Sequence, residues 1–258
     1  MLAVGGYRLP DHFLLLLGAG LLAGAMNAMA GGGTFVTLPA LIFAGVPAVA
    51  ANASSTVALF PGTVASAFAY RRDIRDPMGL SLRSMLGISV AGGLVGALLL
   101  LFTPASAFEL IVPWMLLLAS VVFAFGKRWG EVLRRHVRIG RGAVMAVQFL
   151  LAIYGGYFGA GVGIMMLATW ALFGLTDIKA LNGVRTFLVS ACNGVAVLCF
   201  MLSGLVWWMQ CFSVMGAAII GGYLGARLGR VLPAGPSRIG IAIFNFLMTA
   251  VVFWRAFA

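Results

Sequence analysis

Two glycine-rich stretches interrupt long apolar runs, and the residues around them are the ones whose types could bind a ligand. Residues 31–34 read Gly-Gly-Gly-Thr, and residues 159–163 read Gly-Ala-Gly-Val-Gly. Because glycine carries a large entropic cost inside a helix, each stretch predicts a helix break. A helix that restarts after such a break begins with unpaired N–H groups and the positive end of its dipole, and both attract anions. The predicted chemistry is therefore anion binding.

Hydrogen-bonding side chains accompany both breaks. Hydroxyl, amide and guanidinium donors suit sulfonyl or carboxylate oxygens. For any single Ser or Thr the competing interpretation is a hydrogen bond to its own helix. For the pairs Asn52/Asn182 and Thr56/Thr186, ligand binding and helix packing are equally open. The predicted substrate-binding set is Asn27, Gly31, Gly32, Gly33, Thr34, Asn52, Ser55, Thr56, Tyr157, Gly161, Gly163, Asn182, Arg185, Thr186 and Asn193.

Arg185 is the most informative single residue of this set, because apolar residues such as Val184 and Leu188 surround it. An arginine in a membrane helix costs at least ~2.5–3.5 kcal/mol on insertion scales, so it normally faces a cavity or a partner. The alternative is that Arg185 snorkels to the interface, since Asp177 and Lys179 mark a segment end about two turns away. We favour a binding role.

No acidic residue lies deep in an apolar segment. The six acids fall in loops or at segment ends, so the usual carboxylate of a proton relay is absent from the sequence. A channel-like or uniport mechanism for an anion is therefore attractive. The acids are Asp11, Asp73, Asp76, Glu109, Glu131 and Asp177.

An intramembrane enzyme is disfavoured, because it would need a nucleophile paired with a base, or a metal cluster, within the spans. The two histidines, His12 and His136, lie outside the apolar segments, and no acidic residue or histidine accompanies the three cysteines. We therefore predict no catalytic residue, no metal and no cofactor.

The elements that must position these residues are membrane helices. The 258-residue chain is 62% hydrophobic and only 9% charged, which excludes an ordinary soluble domain. The predicted fold class is an all-α polytopic membrane protein, and many of its apolar runs are long enough to span a core of ~30 Å. The apolar segments lie at 13–30, 34–46, 49–70, 80–103, 107–126, 142–158, 162–175, 180–203, 207–232 and 237–257.

The net charge of +11 fits a membrane orientation better than a nucleic-acid partner. Most of the cations lie in two short loops, 71–76 and 127–141, as the positive-inside rule expects of cytoplasmic loops. The predicted partners are a small anionic substrate and the lipid bilayer, with a homo-oligomer left open and no nucleic acid.

The basic segment 127–141 separates two similar halves, 1–126 and 142–258, which we interpret as membrane repeats. A shift of 130 residues places Gly31 on Gly161 and Gly33 on Gly163, together with the Asn and Thr pairs named above. A shift of 129 places residues 92–97 on 221–226, with Gly92 and Gly96 on Gly221 and Gly225. These Gly-x-x-x-Gly spacings predict close helix packing rather than substrate binding.

The repeats are predicted to be inverted. The basic loop 71–75 corresponds to residues 204–208, which are uncharged and carry a Trp pair, whereas the uncharged connector 103–106 corresponds to the arginine-bearing 227–238. Corresponding loops therefore face opposite sides of the membrane. Two broken helices in matching places of inverted halves predict a substrate site near the membrane midplane.

At these residues the sequence resembles the sulfite exporter TauE/SafE family of bacterial membrane proteins. The resemblance lies in Phe158 to Gly163, in Gly31 to Gly33 with the following Leu38-Pro39, and in the segment 191–196. Ala28 and Met29 stand where Phe and Gly are usual in the family. The resemblance implies a multi-pass protein of the bacterial cytoplasmic (inner) membrane that exports small sulfur-containing anions, sulfite or organosulfonates. The alternative is a membrane scaffold or assembly factor without transport activity.

The loop charges generate a topology prediction. Single cysteines placed at Arg72 and at Ser203, in a background without the native cysteines, should react with a membrane-impermeant maleimide from opposite sides. We expect Arg72 to be cytoplasmic, together with 127–141, and residues 203–207 to be outside. Labelling of both positions from one side would mean that the repeats are parallel.

Overall fold

The computed structural model describes residues 3–4, 7–8, 12–72, 74, 81–133, 140–172, 178–231 and 234–257. Helices dominate these residues, and the prediction of an all-α polytopic membrane protein is confirmed. A two-residue antiparallel ladder precedes them, β1 (Ala3–Val4) with β2 (Tyr7–Arg8). The helices are α1 (Phe13–Ala30), α2 (Thr34–Phe43), α3 (Ala48–Ala69), α4 (Leu82–Phe102), α5 (Ala105–Leu133), α6 (Arg141–Tyr157), α7 (Val162–Leu172), α8 (Ile178–Leu202), α9 (Trp208–Val231) and α10 (Ala234–Phe257).

Five stretches of these helices are long and apolar enough to cross a membrane. They lie in α4, α5, α8, α9 and α10, at Leu82–Phe102, Ala105–Gly126, Leu181–Leu202, Trp208–Leu228 and Ile239–Phe257. Shorter apolar helices occur at Phe13–Met29, Thr34–Phe43 and Gly142–Tyr157. Every predicted apolar segment corresponds to a helix, and both predicted breaks separate two helices, α1 from α2 and α6 from α7.

The first part of the basic segment 127–141 is helical, although its charge predicted a loop. Helix α5 continues to Leu133, because residues 127–133 include Lys, Arg, Glu and Leu, all good helix formers. Residues 134–139 of that segment lie outside the described residues, as do residues 75–80 of the first basic region and Asp177.

The helices group into two compact units. One comprises residues 1–62, 104–113 and 200–258, and the other comprises 63–103 and 114–199. In the first, α1 packs on α9, and α2 contacts both α1 and α10. In the second, α4 packs on α6, which contacts α7. Each unit therefore combines a broken helix pair from one predicted half with a glycine-rich helix from the other. The inversion of the repeats stays a prediction.

Backbone-to-backbone packing holds α1 against α9 in the first unit. A Cβ on Gly221 would overlap the carbonyl oxygen of Leu21, and one on Gly225 would overlap the backbone of Ala25. Such close approach replaces the hydrophobic driving force that is missing between helices in lipid. The predicted packing role of this Gly-x-x-x-Gly pair is confirmed.

The same kind of contact joins α4 to α6 in the second unit. A Cβ on Gly92 would lie 2.6 Å from the Ala152 Cβ, and one on Gly96 would overlap the Ile153 carbonyl oxygen. Beside this contact, α7 and α8 contribute to a core that contains Val162, Met166, Trp170, Leu181, Val184 and Leu188. The start of α7 is thereby fixed in a packed environment.

These contacts predict different consequences for two glycines of α9. Gly221→Ala should destabilise the folded protein by ~1–3 kcal/mol, because the added methyl group has no room against α1. Gly216 is exposed and an added Cβ would meet nothing within 4 Å, so Gly216→Ala should be neutral or stabilising by up to ~1 kcal/mol. Thermal unfolding of both purified variants in detergent measures the difference, and equal melting temperatures would contradict the packing described here.

Candidate functional site

The first glycine break is a left-handed turn that ends α1. Gly31 has φ +79°, and its N–H donates to the carbonyl oxygens of Met26 and Asn27, both at 3.1 Å. This backbone conformation is strained for residues with a Cβ, so glycine is required here for a physical reason. After two further glycines, α2 begins at Thr34.

Some backbone N–H groups at the start of α2 have no hydrogen-bond partner among the described residues. The N–H groups of Phe35 and Val36 donate back to the carbonyl oxygens of Gly32 and Gly33. Within the described residues, the N–H groups of Gly32, Gly33 and Thr34 donate no hydrogen bond. Helix α2 has 10 residues, about 15 Å at 1.5 Å per residue, which is half of a ~30 Å hydrocarbon core. The half-helix expected from the sequence is therefore present.

The surroundings of Gly33 are tightly packed. A Cβ on Gly33 would lie 3.0 Å from the carbonyl oxygen of Ala23, 3.1 Å from a methyl group of Leu59 and 3.3 Å from the Asn27 Cβ. A side chain at Gly33 would thus push its neighbours by a few tenths of an ångström, whatever part Gly33 has in binding. Asn27 is brought to the break as predicted.

The hydroxyl groups of this unit are engaged by protein atoms. Thr37, in α2, shares a short hydrogen bond with Ser55 in α3, and its hydroxyl also lies 3.3 Å from the Gly33 carbonyl oxygen. The Thr56 hydroxyl donates to the carbonyl oxygen of Asn52 at 2.9 Å. Asn52 is fully buried in α3. The Ser55 hydroxyl therefore joins α3 to α2, and the Thr56 hydroxyl bonds to the backbone of its own helix.

One residue beside this break was not predicted from the sequence. The Asn245 side chain, in α10, is fully buried, and neither its Oδ1 nor its Nδ2 has a hydrogen-bond partner among the described residues. Its Nδ2 lies 3.8 Å from the position that a Cβ on Gly32 would take. An isolated amide within an apolar span was the signal available in the sequence. It was missed because the polar residues were sought close to the breaks along the chain.

The second break also needs left-handed glycines, with φ +79° at Gly159 and +71° at Gly161. The Tyr154 hydroxyl donates to the Ala160 carbonyl oxygen at 2.9 Å, which pairs an acceptor that the break would otherwise leave exposed. Helix α7 starts at Val162 and has 11 residues, about half a membrane span. In the described part of the chain, the N–H groups of Gly161, Val162 and Gly163 donate no hydrogen bond.

Arg185 lies against this second break. A Cβ on Gly163 would be 3.3 Å from its Cδ and 3.6 Å from its Cγ, so the stem of Arg185 crosses the first turn of α7. Arg185 is half-buried, and no ion pair is found for it among the described residues. The structure thus places the stem of Arg185, the one cation of the predicted set, against the first turn of α7.

The remaining predicted residues of the second unit have varied surroundings. The Tyr157 hydroxyl donates to the Thr103 hydroxyl at 3.3 Å, and the Thr186 hydroxyl donates to the carbonyl oxygen of Asn182 at 2.9 Å. Asn193 is buried, and its Oδ1 has no hydrogen-bond partner within the residues that the structure describes. Thr186 therefore repeats the bonding of Thr56, its counterpart in the other half.

Metal-binding groups are lacking in the described part of the chain: no cluster of three His, Cys, Asp or Glu side chains occurs there. Cys192, Cys199 and Cys211 are free thiols. The geometry offers hydrogen-bond donors and one guanidinium group, which can bind an anion without a cofactor.

Comparison with known proteins agrees with a transport role. Residues 16–252 match the family described as "Sulfite exporter TauE/SafE". A "Probable membrane transporter protein" of Haemophilus influenzae is 28% identical over 93% of this chain and 94% of its own length. The "Probable membrane transporter protein YfcA" of Escherichia coli is 29% identical over 92% of this chain and 89% of its own. No solved structure matches the chain.

The contact between α2 and α3 predicts an energetic coupling. Thr37→Val should destabilise the protein by ~1–3 kcal/mol, because it removes the partner of the buried Ser55 hydroxyl, and Ser55→Ala by ~0.5–1.5 kcal/mol, because the Thr37 hydroxyl keeps the Gly33 carbonyl oxygen. The double mutant should recover part of the sum, with a coupling of at least ~0.5 kcal/mol in chemical unfolding. Thr56→Val is the matched control, since its hydroxyl bonds its own helix, and it should be additive with Thr37→Val. Additivity of the Thr37 and Ser55 changes would contradict the contact.

Proposed function

We propose that this chain, which belongs to the sulfite exporter TauE/SafE family, exports a small sulfur-containing anion of the sulfite or organosulfonate class. The chain is a multi-pass membrane transporter and not an enzyme. The finer proposal concerns its substrate, its site and the cytoplasmic (inner) membrane as its location. We place the substrate at the glycine breaks.

The observation that carries this proposal is the pair of half-helices whose first N–H groups are unpaired within the described residues. A tetrahedral or pyramidal oxyanion offers several acceptor oxygens to such groups. The dipole of a helix contributes the equivalent of about half a positive charge at its N-terminus. Because the break recurs in both predicted halves, a simple kink at one place is the weaker explanation. That both breaks serve a single substrate stays a prediction.

Arg185 supplies a full positive charge to the second break. Its guanidinium group presents planar, paired donors that match two oxygens of a sulfonate or sulfite. The stem of Arg185 contacts Gly163, in the first turn of α7. The other predicted residues, apart from the glycines, then orient the substrate or shape the site.

The distribution of charged residues favours the membrane potential as the energy source of transport. Glu109 is the one acidic residue whose side chain the structure describes, and it is exposed. With no carboxylate predicted deep in a span, a proton-coupled cycle lacks its usual carrier. An inside-negative potential drives a monoanion outward by ~2.3 kcal/mol per 100 mV. We therefore propose uniport of the anion down the membrane potential.

Substitution of Arg185 tests the site and the sign of the substrate. Arg185→Lys should weaken sulfite efflux, because lysine keeps the charge and loses the planar fork. Arg185→Ala should weaken it further, by ~2–5 kcal/mol in transition-state or binding free energy if the charge pair is desolvated. Efflux is measured from proteoliposomes with a potential set by potassium and valinomycin, with methanesulfonate as a second anion.

Arg255→Ala is the matched control, since Arg255 is exposed and stacks over the Phe43 ring at 4.9 Å, away from Arg185 in the chain. It should transport like the wild type. Efflux by Arg185→Ala at the wild-type rate would make Arg185 a snorkelling residue. An efflux rate that does not depend on the membrane potential would exclude uniport. The absence of any anion efflux from wild-type protein would favour the scaffold alternative.

A further inference from the structure

The Asn245 carboxamide is an unusual group for a membrane span, because it is fully buried and neither polar atom has a partner in the described part of the chain. An unpaired buried amide is destabilising, and most buried polar side-chain atoms in proteins have a hydrogen bond. The neighbouring polar group on α10 does not help, since the Thr249 hydroxyl donates to the backbone oxygen of Asn245 at 2.7 Å and not to its side chain. The amide therefore imposes a cost that no hydrogen bond among the described residues offsets.

The position of the amide indicates what could pair with it. Its Nδ2 lies 3.8 Å from the place of a Cβ on Gly32, so the missing side chain of Gly32 leaves the amide beside the break. The unpaired N–H groups of Gly32, Gly33 and Thr34 lie at the same break, at the start of the 10-residue α2. Two independent features, a buried orphan amide and a helix N-terminus, thus occur together.

We propose that Asn245 is a substrate-binding residue, whose carboxamide N–H groups and the first N–H groups of α2 bind the oxygens of an oxyanion. The inference rests on the proposed function and adds a residue from the last helix to its site. Asn245 provides two donors and one acceptor. A ligand with several acceptor oxygens therefore satisfies the donors. Chloride is a single ion and has no separate oxygen atoms that could accept from each donor.

Asn245→Leu separates this role from a structural one. Leucine has a similar volume and no polar atom, so it removes the unpaired amide at little packing cost. We expect the melting temperature of the unliganded full-length protein in detergent to rise. The upward shift that sulfite or methanesulfonate gives the wild type should be lost, and the sulfite concentration for half-maximal efflux should rise at least tenfold.

Gly32→Ala gives a second variant for which folding is expected. Gly32 has no positive φ, and its added methyl group would meet Met26, Phe35 and Asn245 at 3.6, 3.7 and 3.8 Å, which are ordinary contact distances. The methyl group would stand against the Asn245 amide and should reduce anion binding without unfolding the protein. Gly18→Ala is its control, because Gly18 lies in α1 with nothing within 4 Å of an added Cβ.

Gln148→Leu is the matched amide control. Gln148 is buried in α6, but its Nε2 donates to the Ser89 hydroxyl at 2.9 Å. Its replacement should lower the melting temperature and keep the anion-induced shift. The contrast between the two amides distinguishes a ligand-binding group from one that stabilises the fold.

The outcomes separate the inference from the proposed function. If wild-type protein is neither stabilised by sulfite or methanesulfonate nor transports them, the proposed function fails. If wild type responds and Asn245→Leu responds equally, Asn245 is not a binding residue while the function stands. A fall in the melting temperature of unliganded Asn245→Leu would also overturn the inference, because the amide would then be structural. Stabilisation by chloride equal to that by sulfite would overturn the oxyanion assignment.

Discussion

Lipid cannot hydrogen-bond to a peptide group, so a chain that breaks a helix inside a bilayer must cover the freed N–H and C=O groups with protein or leave them to a ligand. Each break has a carbonyl end, where one helix stops, and an N–H end, where the next helix begins. The two ends meet this constraint in different ways. On the carbonyl side some acceptors are paired, because the Gly31 N–H donates to Met26 and Asn27 and the Tyr154 hydroxyl donates to Ala160. The N–H side of α2 and of α7 is left without partners among the described residues.

The unpaired donors give the breaks their chemistry. The first N–H groups of α2 and of α7 create local positive potential, which the helix dipoles reinforce. Packing then holds the breaks in place. The close backbone contact between α1 and α9, and that between α4 and α6, fixes the helix that precedes each break within its own unit. Gly33 and Gly163 contribute by allowing neighbouring groups, Leu59 and Arg185 respectively, to lie against the new helix.

Much of this structure could be predicted from the sequence, because lipid makes secondary structure follow hydropathy closely. The ten segments, both breaks and the packing role of Gly92, Gly96, Gly221 and Gly225 depend on local composition and spacing. The contacts between individual side chains do not depend on local composition and spacing. Thr37 with Ser55 joins two consecutive helices, and Asn245 beside Gly32 joins two helices distant in the chain, and no local pattern encodes either contact. The continuation of α5 to Leu133 was missed because charge was taken as a sign of a loop, although Lys, Arg and Glu are good helix formers.

The central claim is that an anion binds at the N-terminus of a half-helix, and anomalous diffraction tests it most directly. Crystals of the wild-type protein with bromomethanesulfonate would locate the ligand by its bromine. The account predicts sulfonate oxygens about 3 Å from the N–H groups that begin α2 or α7, with Arg185 or Asn245 in contact. Bromine peaks confined to other surfaces, with both helix starts empty at a concentration that saturates efflux, would contradict it.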